Sequence, residues 1–192
     1  MYPKIDQNAA LILIDIQQGF ADPIWGPRNN PDAEVNSARL LAAWRIAGRP
    51  LVHIQHHSTE SGSPLRPGQP GVAFQAGCEP EPDEPVMAKS VNSAFIGTDL
   101  EAWLRQRAIE QVVIAGLTTN HCVETTTRMA GNLGFRPILV EDACATFDRI
   151  GPDGTRWPAA TVHAMTLANV NGEFGGIATT AGVLAALGDP AY

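Results

Sequence analysis

The chain has 192 residues, 44% apolar and 17% charged, a balance that fits one globular domain over 1–192 with a substantial core. The formal net charge of −7 argues against nucleic acid or an anionic membrane surface as a partner, and no apolar run reaches membrane-spanning length. Cys78, Cys122 and Cys144 form an odd, sparse set without CxxC spacing, which argues against a disulfide framework or a structural zinc site.

Ala9–Ile16 is a short, almost continuous apolar run with one acid, Asp15, near its end. Such a run reads as a central parallel strand buried on both faces. Residues 17–31, with Phe20, Trp25 and three prolines, read as a loop leaving that end of the strand. Asp32 is placed to cap a helix to about Ala47, with Val35, Leu40, Leu41, Trp44 and Ile46 as its apolar positions and Gly48 as its stop. Leu51–Gln55 reads as a second strand running into His56 and His57. Residues 58–85 are rich in Pro and Gly and lack helical periodicity, so they form a long loop of the kind that more often carries function than not.

Val86–Lys89 reads as a third strand ending in a lysine, and residues 98–107 as a helix buried through Leu100, Trp103 and Leu104. Val112–Ala115 is a fourth strand that breaks at Gly116. Thr118, Thr119 and Asn120 then offer N-cap side chains to a helix over 122–133, which puts Cys122 in its first turn, where free N–H groups and the helix dipole favour a thiolate. Residues 137–140 read as a fifth strand with Asp142 at its end, 156–169 as a helix, 174–179 as a sixth strand and 181–187 as a last helix. Strands alternating with helices imply parallel βαβ units and a three-layer αβα domain on a six-stranded, mostly parallel sheet. No GxGxxG follows the first strand and no GxxxxGK[ST] occurs, so a dinucleotide or P-loop site is not expected.

Asp15, Lys89 and Cys122 all fall at C-terminal strand ends, the side of an open α/β sheet where ligands bind. Each has a plainer reading: a turn acid, a solvated surface charge, a small core residue. Together they make chemical sense, because a thiol nucleophile needs a base and a cation, and the backbone N–H groups of 118–122 can hold an oxyanion. Phe20, Trp25 and Phe95 are candidates for an apolar substrate wall, or else core or interface residues. His56 and His57 are candidates for the pocket, or for turn or core roles; His121 shapes the nucleophile loop and His163 reads as structural.

The segments LIDIQQGF around Asp15, KSVNSAF around Lys89, AGLTTNHCVETT around Cys122, and LVEDACATFD together resemble the isochorismatase-like cysteine hydrolases over almost the whole chain. That resemblance implies a catalytic triad of Asp15, Lys89 and Cys122. It also implies a cis peptide bond at Leu117–Thr118, which aims the Thr118 N–H, with that of Cys122, at the oxyanion. The implied activity is cleavage of a C–N bond in a small amide, ureide or lactam through a thioester. A homo-oligomer is implied as well. The cytoplasm is the default location, since 1–10 lack the apolar core of a signal peptide. Two departures narrow the field. Nicotinamidases of this family place an Asp-x-His pair after strand two to bind a metal, whereas residues 55–60 here read QHHSTE. Adjacent His56 and His57 diverge in extended chain, so neither metal nor another cofactor is expected. Members that cleave the isochorismate vinyl ether lack the nucleophilic Cys. The other readings of the same residues are a non-catalytic binding or scaffold protein on this fold, and a redox-sensing thiol at Cys122.

Overall fold

The structure is a computed structural model and describes residues 4–188. Strands β1 (Ala10–Ile14), β2 (Leu51–His56), β3 (Val86–Lys89), β4 (Gln111–Leu117), β5 (Arg136–Ala145) and β8 (Gly176–Ala178) form one sheet in the order β3-β2-β1-β4-β5-β8, every pair parallel. β6 (Arg149–Ile150) and β7 (Arg156–Trp157) form a small antiparallel hairpin beside it. The helices are α1 (Ala33–Ile46), α2 (Leu100–Gln106), α3 (Glu124–Asn132), α4 (Ala159–Val170) and α5 (Thr180–Leu187). Among the described residues no helix is long and apolar enough to cross a membrane.

Alternation along the central strands builds the layers. Ile12, Ile14, Val52, Ile54 and Ile114 face one way, toward Leu100 and Leu104 of α2 and Ala130 of α3. Leu11, Leu13 and Val113 face the other way, toward Leu40, Leu41 and Trp44 of α1 and Val183 and Leu184 of α5. Because both faces are covered, the strands read as unbroken apolar runs rather than as alternating ones. Trp44 is fully buried and its indole N–H donates to the Ala9 carbonyl at 3.0 Å, which fixes α1 against the start of β1.

Several boundaries differ from the sequence reading, each for a tertiary reason. β4 does not break at Gly116 but runs through it. Gly116 adopts φ +136, and a Cβ there would lie 2.0 Å from the Ile14 carbonyl oxygen, so glycine serves close approach to β1. β5 extends to Ala145, with a register irregularity opposite Ile114–Gly116. Asp142 therefore sits within the strand, and its carboxylate accepts from the Thr180 N–H (2.7 Å) and hydroxyl (2.8 Å) at the start of α5. α4 begins at Ala159, not 156, because Arg156 and Trp157 pair with β6 while Asp148 takes the Ala159 N–H at 2.8 Å. Of the apolar positions of α1, Leu40, Leu41 and Trp44 are buried, whereas Val35 and Ile46 are exposed at 60% and 89%.

The strand order reverses direction between β1 and β4. Loops leaving their C-terminal ends diverge there and open a crevice, the usual ligand position in such sheets.

Candidate active site

Asp15 follows β1 directly, with its N–H still bonded to the Ile54 carbonyl (3.0 Å) and φ at +52, in the left-handed region that Asp tolerates better than most residues. Gln17 N–H closes back on the Asp15 carbonyl at 2.8 Å, so the chain turns sharply out of the strand. Lys89 ends β3, two strands away. Its ammonium reaches across β2 to Asp15 Oδ2 at 2.6 Å, with both side chains wholly buried. The parallel register sets His56, at the end of β2, beside Lys89, and the Lys89 ammonium also lies 3.1 Å from His56 Nδ1.

Cys122 does not sit in the first turn of an α-helix. After β4 the chain makes a wide turn over Thr119–Val123, in which Val123 N–H reaches back to the Thr118 carbonyl at 3.3 Å, and α3 starts only at Glu124. The Leu117–Thr118 peptide bond is cis. His163 on α4 supports the turn from behind, its Nδ1 lying 2.9 Å from the Thr119 hydroxyl. One atom each from Asp15, His56 and Cys122 (a carboxylate oxygen, a ring nitrogen and the sulfur) converge within 4.8 Å of one another. The second carboxylate oxygen, Asp15 Oδ1, is buried and has no hydrogen-bond partner among the described residues.

Burial dominates the electrostatics. It raises the Asp15 carboxyl above its ordinary range, against the opposing pull of the Lys89 ammonium. It pushes the Cys122 thiol up to about 12, with the Asp15 charge adding to the rise. This corrects the sequence reading of a stabilised thiolate: the dipole of a helix end is a small effect beside desolvation and a neighbouring carboxylate. The resting pair is thus a neutral thiol beside a carboxylate that is more basic than usual.

The cleft over these groups has a volume of about 560 Å³. Phe20 and Trp25 form one wall, as expected, with ring centroids 5.4 Å apart. Phe147, which sequence reasoning missed, completes it at 6.3 and 5.9 Å from the two. Phe95 does not line the cleft. It stacks on Phe135 at 5.9 Å and packs against the core. His56 and His121 line the cleft. His57 does not, and its Nε2 instead pairs with Gln55 Oε1 at 2.9 Å. The long loop folds back over the same chain, with Ser58, Glu60, Ser63 and Leu65 on the cleft wall.

Two further residues were quoted in motifs but assigned no role. Gln17 is fully buried, and its amide accepts the His56 N–H (2.8 Å) and donates to the His56 and Val72 carbonyls, tying β1, β2 and the long loop together. Asn92, three residues past Lys89, brings its Oδ1 to 3.7 Å from the Cys122 sulfur. Both lie within two or three residues of a candidate catalytic group, the signal that could have marked them.

Asp15, His56 and Cys122 are also the donor types of a metal site, a set the sequence reading did not consider. The Lys89 ammonium already bonds two of them, so a divalent ion would have to displace or face a buried positive charge. The donor set therefore fits a cation that the chain itself supplies.

The fold and the strand-end cluster define an α/β enzyme with a buried Asp–Lys–Cys centre at a sheet crevice. The chain belongs to the isochorismatase family: residues 9–182 match the model of the Isochorismatase domain. It is similar to a crystal structure of an isochorismatase-family protein from Chromobacterium violaceum, with 52% identity, a TM-score of 0.94 and 98% coverage of both chains. It is 44% identical to YrdC, an isochorismatase-family protein of Bacillus subtilis, over 92% of this chain and 94% of that one. It is also 30% identical to the maleamate amidohydrolase of Pseudomonas putida, over 71% of each chain.

Proposed function

We propose that the protein is a metal-independent cysteine amidohydrolase that cleaves a C–N bond of a small amide, ureide or lactam through a thioester acyl-enzyme. The observation that carries this reading is the buried Asp15 carboxylate with one oxygen within 4.8 Å of the Cys122 sulfur, its Oδ2 bonded to Lys89 and its Oδ1 without a hydrogen-bond partner among the described residues. A base of raised pKa faces a thiol of raised pKa, so the thiolate forms as it attacks and not before. Asp15 takes the Cys122 proton while the sulfur bonds to the carbonyl carbon. The backbone N–H groups of Thr118 and Cys122 hold the tetrahedral oxyanion. Asp15 returns the proton to the leaving nitrogen, the C–N bond breaks, and a thioester remains. Asp15 then takes a proton from water as its oxygen adds to the thioester carbon, and returns that proton to the Cys122 sulfur as the C–S bond breaks, which releases the acid and restores the thiol and the carboxylate. Lys89 keeps Asp15 oriented and its charge balanced throughout.

The named functions of relatives support the substrate class. Besides the maleamate enzyme, they include a streptothricin hydrolase of Streptomyces noursei, 34% identical over 72% of this chain and 50% of that one. A redox-sensing role for Cys122 suits the site less well, since sensor thiols are exposed and of low pKa. A homo-oligomer belongs to the same proposal. Trp157 and Met165 are exposed apolar residues on an outer groove that shares Arg149 with the cleft, Ile150 is exposed on the cleft side, and light scattering is expected to return a mass above that of one chain.

The deciding experiment is a screen of small amides, ureides and lactams for release of ammonia or amine, on extensively chelated protein. Turnover that survives chelation and vanishes in Cys122→Ala, with an acyl adduct on Cys122 by mass spectrometry, is expected. Turnover retained by Cys122→Ala, or abolished by chelation and restored by zinc, iron or manganese, would refute the mechanism.

A further inference from the structure

We infer that His56 is a substrate-binding residue of fixed tautomer, presenting an Nε2–H donor to the cleft, and that the substrate carries a matching acceptor atom beyond its scissile amide. This rests on the amidohydrolase reading above. The geometry begins with register: β2 and β3 pair His56 with Lys89, and the Lys89 ammonium lies 3.1 Å from Nδ1. An ammonium has protons to donate and no lone pair to accept with, so Nδ1 must be the acceptor. A neutral imidazole then has its single proton on Nε2.

Three other observations point the same way. Gln17 clamps both backbone groups of His56, accepting its N–H at 2.8 Å and donating to its carbonyl at 3.1 Å, so the base of the ring is held. Nε2 has no hydrogen-bond partner among the described residues, while the ring lines the cleft beside Cys122. Burial, then the Lys89 charge, lowers the His56 pKa to about 4, so the ring is neutral near pH 7.

His56 is half-buried, so its donor is cut off from water only when a substrate fills the cleft; a substrate without an acceptor then leaves it unsatisfied, and that discriminates strongly between ligands. The donor is uncharged overall, and Lys89 is balanced by Asp15, so the acceptor chemistry shared by a carbonyl, a hydroxyl or a carboxylate oxygen meets it. The aromatic wall of the cleft, Phe20, Trp25 and Phe147, takes the apolar face of the same molecule. Cys122 and the acceptor position are thus both referenced to the Lys89 ammonium, through Asp15 and through His56.

The test has two arms. In the first, long-range 1H–15N correlation spectra of 15N-histidine-labelled protein at pH 7 are read for His56, assigned by its loss in His56→Asn. An Nε2-protonated ring is expected, and an Nδ1-protonated or doubly protonated ring overturns the inference. In the second, wild type is assayed on pairs of amides that share the scissile group and differ in one acceptor, either a neutral carbonyl or a carboxylate against a methylene. Wild type is expected to favour one acceptor-bearing member by about tenfold or more in kcat/KM. His56→Asn keeps an acceptor for Lys89 but is too short to donate into the cleft, and should collapse that preference. His56→Gln, whose amide reaches further, should restore part of it. A preference unchanged in His56→Asn overturns the inference. If wild type turns over none of the amides, the hydrolase reading fails, and the spectra still decide whether the donor exists.

Discussion

Replacing Lys89 by Met tests whether the Asp15–Lys89 pair is the electrostatic centre of this fold. Met keeps the apolar length of the lysine stem, so the change removes the charge with little loss of packing. With an effective dielectric of about 20, unit charges 2.6 Å apart interact by roughly 6 kcal/mol. The full loss is not realised, because the stranded carboxyl can bind a proton instead of staying charged. Each pH unit between its ordinary pKa of 3.8 and the solution pH then costs about 1.4 kcal/mol. That bounds the electrostatic penalty at about 4 kcal/mol at pH 7 and under about 2 kcal/mol at pH 5. The sign follows from linkage: a carboxyl whose pKa rises on folding binds more protons in the native state, so its stability contribution is complete below 3.8 and is lost as pH rises. Urea unfolding followed by circular dichroism should show Lys89→Met less stable than wild type by about 3–4 kcal/mol at pH 7, with the gap narrowing toward pH 5. The double variant Asp15→Asn/Lys89→Met, with no charge left to strand, should recover at least about 2 kcal/mol of it at pH 7. A penalty below about 1 kcal/mol, one that does not change with pH, or a double variant no better than the single would each refute this reasoning.

Three other expectations follow from particular contacts. Gly116→Ala forces a Cβ to within 2.0 Å of the Ile14 carbonyl oxygen, at a φ that alanine resists, and should cost about 4 kcal/mol or abolish soluble expression; a melting point within a few degrees of wild type would contradict it. Glu84 is held down to about 2, chiefly by its hydrogen bonds to Arg45, so it stabilises the fold above its ordinary 4.5 and loses that effect as pH falls from 4.5 toward 2. Glu84→Gln should therefore destabilise by on the order of 1 kcal/mol at pH 7 and by clearly less at pH 3, as read from paired urea melts. Iodoacetamide should label Cys122, which lines the cleft, before Cys78 and Cys144, which are fully buried, and the rate should climb with pH from 7 to 10 as the thiol of raised pKa ionises; peptide mapping that finds Cys78 or Cys144 labelled first would contradict the assignment.

The sheet and the positions of Asp15, Lys89 and Cys122 were legible in the sequence because they depend on local pattern. Parallel strands covered on both faces are short apolar runs, and alternation with helices sends every strand's C-terminal end to one side. Three polar residues at three such ends must therefore lie along one edge. What local pattern does not encode is which strands are neighbours and how they register. Gly116 looks like a strand break from its own residue type, and it is a strand residue because β1 passes too close for a Cβ. Asp142 looks like a strand terminus and is the anchor of α5. Phe20 and Phe95 are alike on paper, yet one faces the cleft and the other packs against Phe135. The β2–β3 register sets His56 against Lys89 and so decides which ring nitrogen can donate, a choice no spacing along the chain reveals. The thiol's proton affinity is hidden from the sequence for the same reason. Burial and the Asp15 carboxylate, brought in from residues more than a hundred positions away, outweigh the local dipole, and both arise only when β1 and β4 are packed side by side.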